Sequence, residues 1–204
     1  MDKLKALNLY AGIGGNRKLW EDVEVTAIEN NEKIAAIYQN FFPDDTVIVA
    51  DAHEYLLQHF KEFDFIWSSP PCPTHSNLNR TLHAQNVIRY PDMKLYQEII
   101  FLMEFYKGKY AIENVIPYYK PFIDAQMSGR HLFWCNFIIS DIGKDKTISI
   151  TNSQKKTTRT AAEHRKELQD YHKIDCDNIK YLSNCVCPEL GKHILDCARS
   201  KPLF

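Results

Sequence analysis

Along residues 4–115, short β-branched or apolar runs alternate with segments whose apolar residues recur at helical spacing, and this alternation most limits the folds open to the chain. ALNLY, VEVTAIE, TVIVA, FDFIWSS and YAIENV read as strands. EKIAAIYQNF, HEYLLQHF and MKLYQEIIFLMEFY read as helices, and NRKLWED as a helical turn. Strands separated by helices predict an α/β fold, a doubly wound and mostly parallel sheet with right-handed crossovers. After Pro117 the order changes. HLFWCNFIIS reads as a strand pair or one long strand, AAEHRKELQDYH as a helix, and PELGKHILDCARS as a final amphipathic helix with Pro188 near its first turn. No repeat, low-complexity stretch or composition break divides the 204 residues, so one domain is expected over 1–204.

Ligand sites on such sheets lie at the carboxyl ends of strands, and the unusual residues of this chain fall there. Gly12, Gly14 and Gly15 follow the first strand, where the backbone can approach a ligand closely. The dinucleotide fingerprint G-x-G-x-x-G is incomplete, because Arg17 stands in its last position. Glu29 ends the second strand, where an acid can accept both hydroxyls of a ribose. Asp51 follows the third strand, near where an adenine amino group would lie; each acid alone also reads as a helix cap or a surface charge. Together the three sites outline an adenosine-containing cofactor. The fourth strand runs into Ser69-Pro70-Pro71-Cys72-Pro73. A cysteine flanked by prolines sits on a stiff turn, a placement that suits a nucleophile as well as a buried structural thiol. The fifth strand ends in Glu113-Asn114-Val115, so a carboxyl group is expected beside Cys72.

Composition narrows the partners. The formal net charge is −1, so any surface for nucleic acid must be local. The basic side chains concentrate at Lys144, Lys146, Lys155, Lys156, Arg159, Arg165 and Lys166, a stretch that reads equally as a solvated loop and helix face. No apolar run reaches the ~18 residues that span a membrane, and the glycines come too early for a signal peptide, so a cytoplasmic protein is expected. The six cysteines are expected to be reduced; Cys185, Cys187, His193 and Cys197 match no common zinc spacing, and no metal is expected.

In this order, LNLYAGIGG, Glu29, Asp51, SSPPCPTHS, IENV, GRHLFWCNF and SNCVCPELGKHI resemble the motifs of the cytosine-C5 DNA methyltransferase family over nearly the whole chain. The resemblance implies a Rossmann-like S-adenosyl-L-methionine (SAM) methyltransferase fold with seven strands, one an antiparallel edge strand. It implies a SAM site at Tyr10, Ala11, Gly12, Gly14, Gly15, Glu29, Asn30, Asp51, Ala52, Ser69, Pro70 and Asn184, the last near the methionine end. It also implies Cys72 as the nucleophile on cytosine C6, Glu113 as the acid at N3, and Arg130, with His131 as a weaker candidate, holding O2 or a nearby phosphate. THSNLNRTLHAQNVIRYPD, with Arg80 and Arg89, would be the mobile loop that closes over a flipped base.

Three features depart from the family pattern. Pro73 stands where glutamine is usual, and His131 follows Arg130 where two arginines often alternate. The recognition region is shortened to about residues 141–175, as in small phage-encoded members, with Lys155, Lys156 and Arg159 as its phosphate-contacting candidates. The expected acceptor is cytosine-containing DNA, read with short or relaxed specificity in a phage or bacterial host cell. A free cytidine nucleotide or an RNA as acceptor, and a catalytically silent SAM- or DNA-binding partner subunit, remain the alternatives. Homo-oligomers and partner subunits stay open.

Overall fold

The computed structural model describes residues 3–140 and 160–200. In chain order the elements are β1 (Leu4–Leu9), β2 (Val23–Ile28), α1 (Glu32–Phe41), β3 (Thr46–Ile48), α2 (Ala52–His59), β4 (Phe65–Ser68), α3 (Leu78–Ala84) and α4 (Lys94–Phe105). Then come β5 (Lys109–Val115), β6 (Gln126–Ser128), β7 (His131–Cys135), α5 (Ala161–His172), α6 (Ile179–Ser183) and α7 (Pro188–Arg199). One seven-stranded sheet runs in the order β3-β2-β1-β4-β5-β7-β6. Strands β1 to β5 are mutually parallel, whereas β7 runs antiparallel to both β5 and β6. The fold is therefore the expected α/β sheet, with one correction. The antiparallel strand is β7, one place in from the border, and the edge is the three-residue β6.

Both faces of the sheet are covered, which explains why its strands read as nearly continuous apolar runs. On one face Leu7, Leu9, Ile28, Ile66 and Ile112 pack against Leu56 of α2 and Ile99 and Leu102 of α4. On the other, Ala6, Val25, Phe65, Trp67 and Phe133 pack against Leu190, Ile194 and Leu195 of α7. Helix α7 begins at Pro188, whose missing N–H costs nothing at a first turn. Its Gly191 lets two backbones touch: a Cβ there would lie 2.2 Å from the Asn16 carbonyl oxygen.

The connection from β1 to β2 carries no helix. NRKLWED instead forms successive i→i+3 turns, with Arg17 N–H donating to Gly14 and Trp20 N–H to Arg17. Side chains hold this stretch where a helix would not reach. Asn16 Nδ2 donates to the Asn8 side chain (2.8 Å), and Trp20 Nε1 donates to the Gly191 carbonyl (3.0 Å).

HLFWCNFIIS supplies only β7; its hairpin partner β6 lies upstream, across the two-residue turn Gly129–Arg130 with Gly129 at φ +60°. Beyond Cys135 the chain leaves the sheet because the Asn136 side chain takes over the pairing, accepting from Tyr110 N–H (3.3 Å) and donating to the Gly108 carbonyl (2.8 Å).

Helix α5 opens with a capping box between Thr160 and Glu163 and buries His164, Leu168 and His172, one residue per turn. Leu168 joins Ile13, Ile174, Leu182 and Cys185 in a cluster that seats α5 and α6 beside the glycine turn.

His172 is almost wholly buried, and its Nδ1 has no hydrogen-bond partner among the described residues. Burial, aided by the nearby Arg130 charge, lowers its pKa from 6.5 to about 4. The unfolded chain therefore binds more protons between those values, so stability should fall as pH drops from about 6.5 towards about 4. The full loss from this group is on the order of 3 kcal/mol. Urea unfolding of wild type and His172→Leu at pH 7 and pH 4.5 should show a smaller acid loss in the variant; equal losses would refute this assignment.

Candidate active site

The strand order reverses between β1 and β4, and the crevice of a doubly wound sheet opens at such a point. A cavity of about 500 Å³ lies there, lined from the ends of β1, β2, β4 and β5, the β6–β7 turn and α6. That volume falls in the usual range for small-molecule sites.

One end is built by the glycine turn and Glu29. The Glu29 carboxylate accepts Gly12 N–H at Oε2 (3.1 Å) and Asn31 N–H at Oε1 (2.9 Å). Each oxygen keeps a lone pair, so the group can also accept two hydroxyls. Gly12 sits at φ +55°, and a Cβ there would enter open space, whereas one on Gly14 would meet the Phe42 ring at 2.2 Å. Gly12 thus faces the cavity, while Gly14 packs against α1 and lines nothing. Arg17, in place of the third fingerprint glycine, pairs with the buried Asp45 (2.9 Å), which also accepts from Tyr38 (2.8 Å). The pair ties the turn to the chain beyond α1.

The other end holds the reactive groups. Ser69 N–H donates to Leu9 (3.4 Å), and Asn114 Nδ2 donates to the Pro70 carbonyl (3.0 Å), so the proline turn is tied to both neighbouring strands. Cys72 is half-buried and free, its carbonyl accepting from His75 and Ser76 N–H. Burial first, and then the nearby Glu113 charge, push its thiol pKa up. Glu113 is buried on β5, with Oε1 2.5 Å from His131 Nδ1. Arg130 lines the same cavity from the hairpin turn.

Of the sequence-derived residues, Cys72, Glu113, Arg130, His131, Tyr10, Ala11, Gly12, Gly15, Glu29, Ser69, Pro70 and Asn184 meet around this cavity. Gly14, Asn30, Asp51 and Ala52 are not in its lining. Asp51 Oδ1 caps α2 by accepting Glu54 N–H (3.0 Å), and Ala52 packs into the core. Lys155, Lys156 and Arg159 lie outside the described residues.

Arg80 and Arg89 stand on an excursion from Thr74 to Asp92, Arg80 in its short helix and Arg89 in a stretch without regular structure. The excursion carries α3 and closes at its base through Asp92 N–H to Thr74 Oγ1 (3.1 Å) and Asn79 Nδ2 to the Pro73 carbonyl (2.8 Å). Arg80 donates to the Tyr118 carbonyl (3.2 Å), and Tyr118 Oη donates to the Arg89 carbonyl (3.0 Å).

Sequence reasoning missed Lys180 and Tyr181 of α6, which line the cavity, and a buried hub at Glu98. The Glu98 carboxyl, fully buried, accepts from Tyr10 Oη (2.5 Å) and Ser68 Oγ (2.7 Å) and lies 3.2 Å from His53 Nδ1. Burial and Glu98 hold the Tyr10 phenol far above its usual pKa, so it stays a donor. The available signal was an acid inside the apolar stripe Leu95, Ile99 and Leu102 of α4.

Among the described residues no three His, Cys, Asp or Glu side chains cluster as metal ligands, and no helix is long and apolar enough to cross a membrane. Burial pushes Cys185 up to about 12.

The model of the family described as C-5 cytosine-specific DNA methylase matches residues 4–118, more than half of the 204-residue chain. No curated protein matches the chain by sequence. Among solved structures, a mutant of Spodoptera frugiperda DNMT2 shares 27% identity with TM-score 0.41, over 55% of this chain and 36% of that one. A SAM-dependent methyltransferase from Agrobacterium tumefaciens shares 14% (TM-score 0.38; 55% and 39%), and TrmN from Thermus thermophilus 16% (TM-score 0.39; 65% and 43%). The chain spans less than half the length of each of these three proteins.

A raised thiol pKa means little thiolate at neutral pH. Peptide mapping after iodoacetamide treatment at pH 7 should find Cys72 alkylated more slowly than an unfolded control. Glu113→Gln should speed that reaction about threefold or more by removing the neighbouring charge. An unchanged or slower rate would show that Glu113 does not act on the thiol.

Proposed function

The chain belongs to the C-5 cytosine-specific DNA methylase family, and from that premise we propose that it transfers a methyl group from SAM to C5 of cytosine in DNA through a covalent bond to Cys72. The observation that carries this reading is the shared cavity: Cys72 and Glu113 stand on neighbouring strand ends, and the Gly12–Glu29 cradle opens into the same space.

The residues present fit SAM. Glu29 has two free acceptor sites for a ribose, Gly12 leaves room beside them, and Ser183, Asn184 and Lys180 offer polar groups for an amino-acid end. When bound, SAM supplies a methyl group activated by a sulfonium. The protein's own residues do the rest. As Sγ bonds to C6 the Cys72 thiol gives its proton to the Glu113 carboxylate, which hands it to N3, leaving C5 electron-rich enough to take the methyl group. The C5 proton then leaves to a base, N3 returns its proton to Glu113, and Glu113 gives that proton back to sulfur as the Sγ–C6 bond breaks. Arg130 serves O2 or an adjacent phosphate. The target base of a duplex must leave the stack to reach Cys72, and the excursion bearing Arg80 and Arg89 springs from the residue next to it.

Specificity follows from what is small. The described part of the 141–175 region is little more than α5, whose buried face is spent on the core. Few side chains remain to reach base edges, and phosphate contacts carry no sequence information directly. A cytosine methylase of short or relaxed context is the reading that results.

Single-turnover transfer from labelled SAM to cytosine-containing DNA tests the reaction. Cys72→Ala should abolish transfer while SAM affinity stays within about twofold, because the thiol acts on the base and not on the cofactor. DNA carrying 5-fluorocytosine should trap wild type covalently, since fluorine blocks elimination. Full turnover by Cys72→Ala would sink the covalent route, and activity confined to mononucleotides or RNA would sink the DNA assignment.

Bisulfite sequencing of methylated plasmid should show modification in many short contexts. Binding should weaken steeply with salt, and Lys155→Ala with Lys156→Ala should lower affinity about equally for all sequences. A strict target of four or more base pairs would refute relaxed specificity.

A further inference from the structure

Sequence reasoning places His131 beside Arg130 as a holder of the acceptor's O2 or phosphate, but its geometry points elsewhere. His131 is the first residue of β7 and pairs across the ladder with Val115 of β5. Glu113, two residues earlier on β5, pairs with Phe133, so His131 and Glu113 are diagonal neighbours on one face of an antiparallel pair. The Gly129–Arg130 turn sets this register, and a shift by one residue would send the imidazole to the opposite face. Nδ1 and Oε1 are 2.5 Å apart, both residues are less than 10% exposed, and both line the cavity with Cys72.

We propose that His131 is the positioning residue of Glu113: it grips Oε1 and leaves Oε2 to face the acceptor ring. The assignment rests on the reading of Glu113 as the group that serves N3. Among the described residues Oε1 takes the one protein hydrogen bond to this carboxyl, and Arg130 forms no ion pair with it. A glutamate side chain left to itself samples many rotamers, and few of them aim an oxygen at a ring held over Cys72. A hydrogen bond from Nδ1–H selects among them before the acceptor arrives, which is where preorganisation acts on a rate. The division of labour also releases Arg130. With the acid held by imidazole, the guanidinium is available to the acceptor's O2 or phosphate from the turn beside it.

The test compares rate, affinity and rescue. His131→Ala should lower the single-turnover rate about 100-fold, within the usual range for an acid–base residue, with SAM affinity changed less than about twofold. His131→Asn places an amide N–H near the position of Nδ1 and should recover at least about tenfold of the loss. In the double variant with Glu113→Gln, His131→Ala should cost less than about threefold more, because the group it positions is already gone. Rate losses that multiply in the double variant, or His131→Asn as slow as His131→Ala, would overturn the proposal. If Glu113→Gln alone retained the wild-type rate, it is the N3 reading that would fall, and the positioning role with it. A readout free of acceptor and cofactor separates the two. Proton NMR of the resting protein should show a far-downfield His131 Nδ1 proton that disappears in Glu113→Gln and persists in Cys72→Ala. Its absence from folded wild type would overturn the proposal whatever the enzyme methylates, and loss of folding in His131→Ala leaves His131→Asn and this resonance to decide.

Discussion

The parallel pairing of β1 with β4 is the constraint on which the site depends. It places Leu9 beside Ser68, so the glycine turn and the proline turn leave the sheet side by side. One adds Gly12 and the other Cys72, and the crevice between them exists because the chain has wound outward through β2 and β3 before returning. The buried Glu98 hub reinforces the junction from below. It bonds Tyr10, the first residue after β1, and Ser68, the last residue of β4, to one helix. A carboxyl group with no exposure is costly unless its donors are in place, and here hydroxyls from both turns supply them. The same contact that satisfies the acid holds the two turns in register.

Much of this was legible in the chain because local pattern and tertiary role agree. Helix α1 coincides with EKIAAIYQNF, and the parallel strands with the apolar runs, since an element buried on both faces needs little else. Cys72, Glu113 and Glu29 stood out as polar residues ending apolar strands. What escaped the sequence depends on partners distant in it. Asp51 has the composition of a ligand and of a helix cap, and its side chain caps α2. NRKLWED has helical composition, yet Trp20 and Asn16 bond to Gly191 and Asn8 and hold the segment as turns. The strand β6 is three residues long and carries too short a pattern to be seen. Lys180 and Tyr181 enter the cavity because Leu182 packs with Ile13 and Leu168, a contact no spacing rule encodes.

Helix α5 spends its buried face on the core. Its His164, Leu168 and His172 face inward, and burial, with a smaller contribution from the Arg130 charge, lowers the His172 pKa. Helix α5 thereby forms part of the wall behind the hairpin turn. That placement sets it beside Arg130 of the candidate site.

The resting electrostatics of the cavity then make chemical sense. Burial and the Glu113 charge both disfavour a thiolate at Cys72, so the side chain rests as a thiol and is protected from stray electrophiles. The proposed reaction removes the conflict. When the sulfur proton is given up and N3 is protonated, sulfur's negative charge is consumed in a covalent bond and never stands beside a carboxylate for long. Two groups whose charges oppose each other at this range favour states in which only one of them is negative. A carboxyl group held at one oxygen by His131 and free at the other can therefore serve both partners in turn. The Glu113 charge lowers the resting nucleophilicity of Cys72, and in the proposed reaction the same carboxyl group would carry the proton from sulfur to N3 within one cavity.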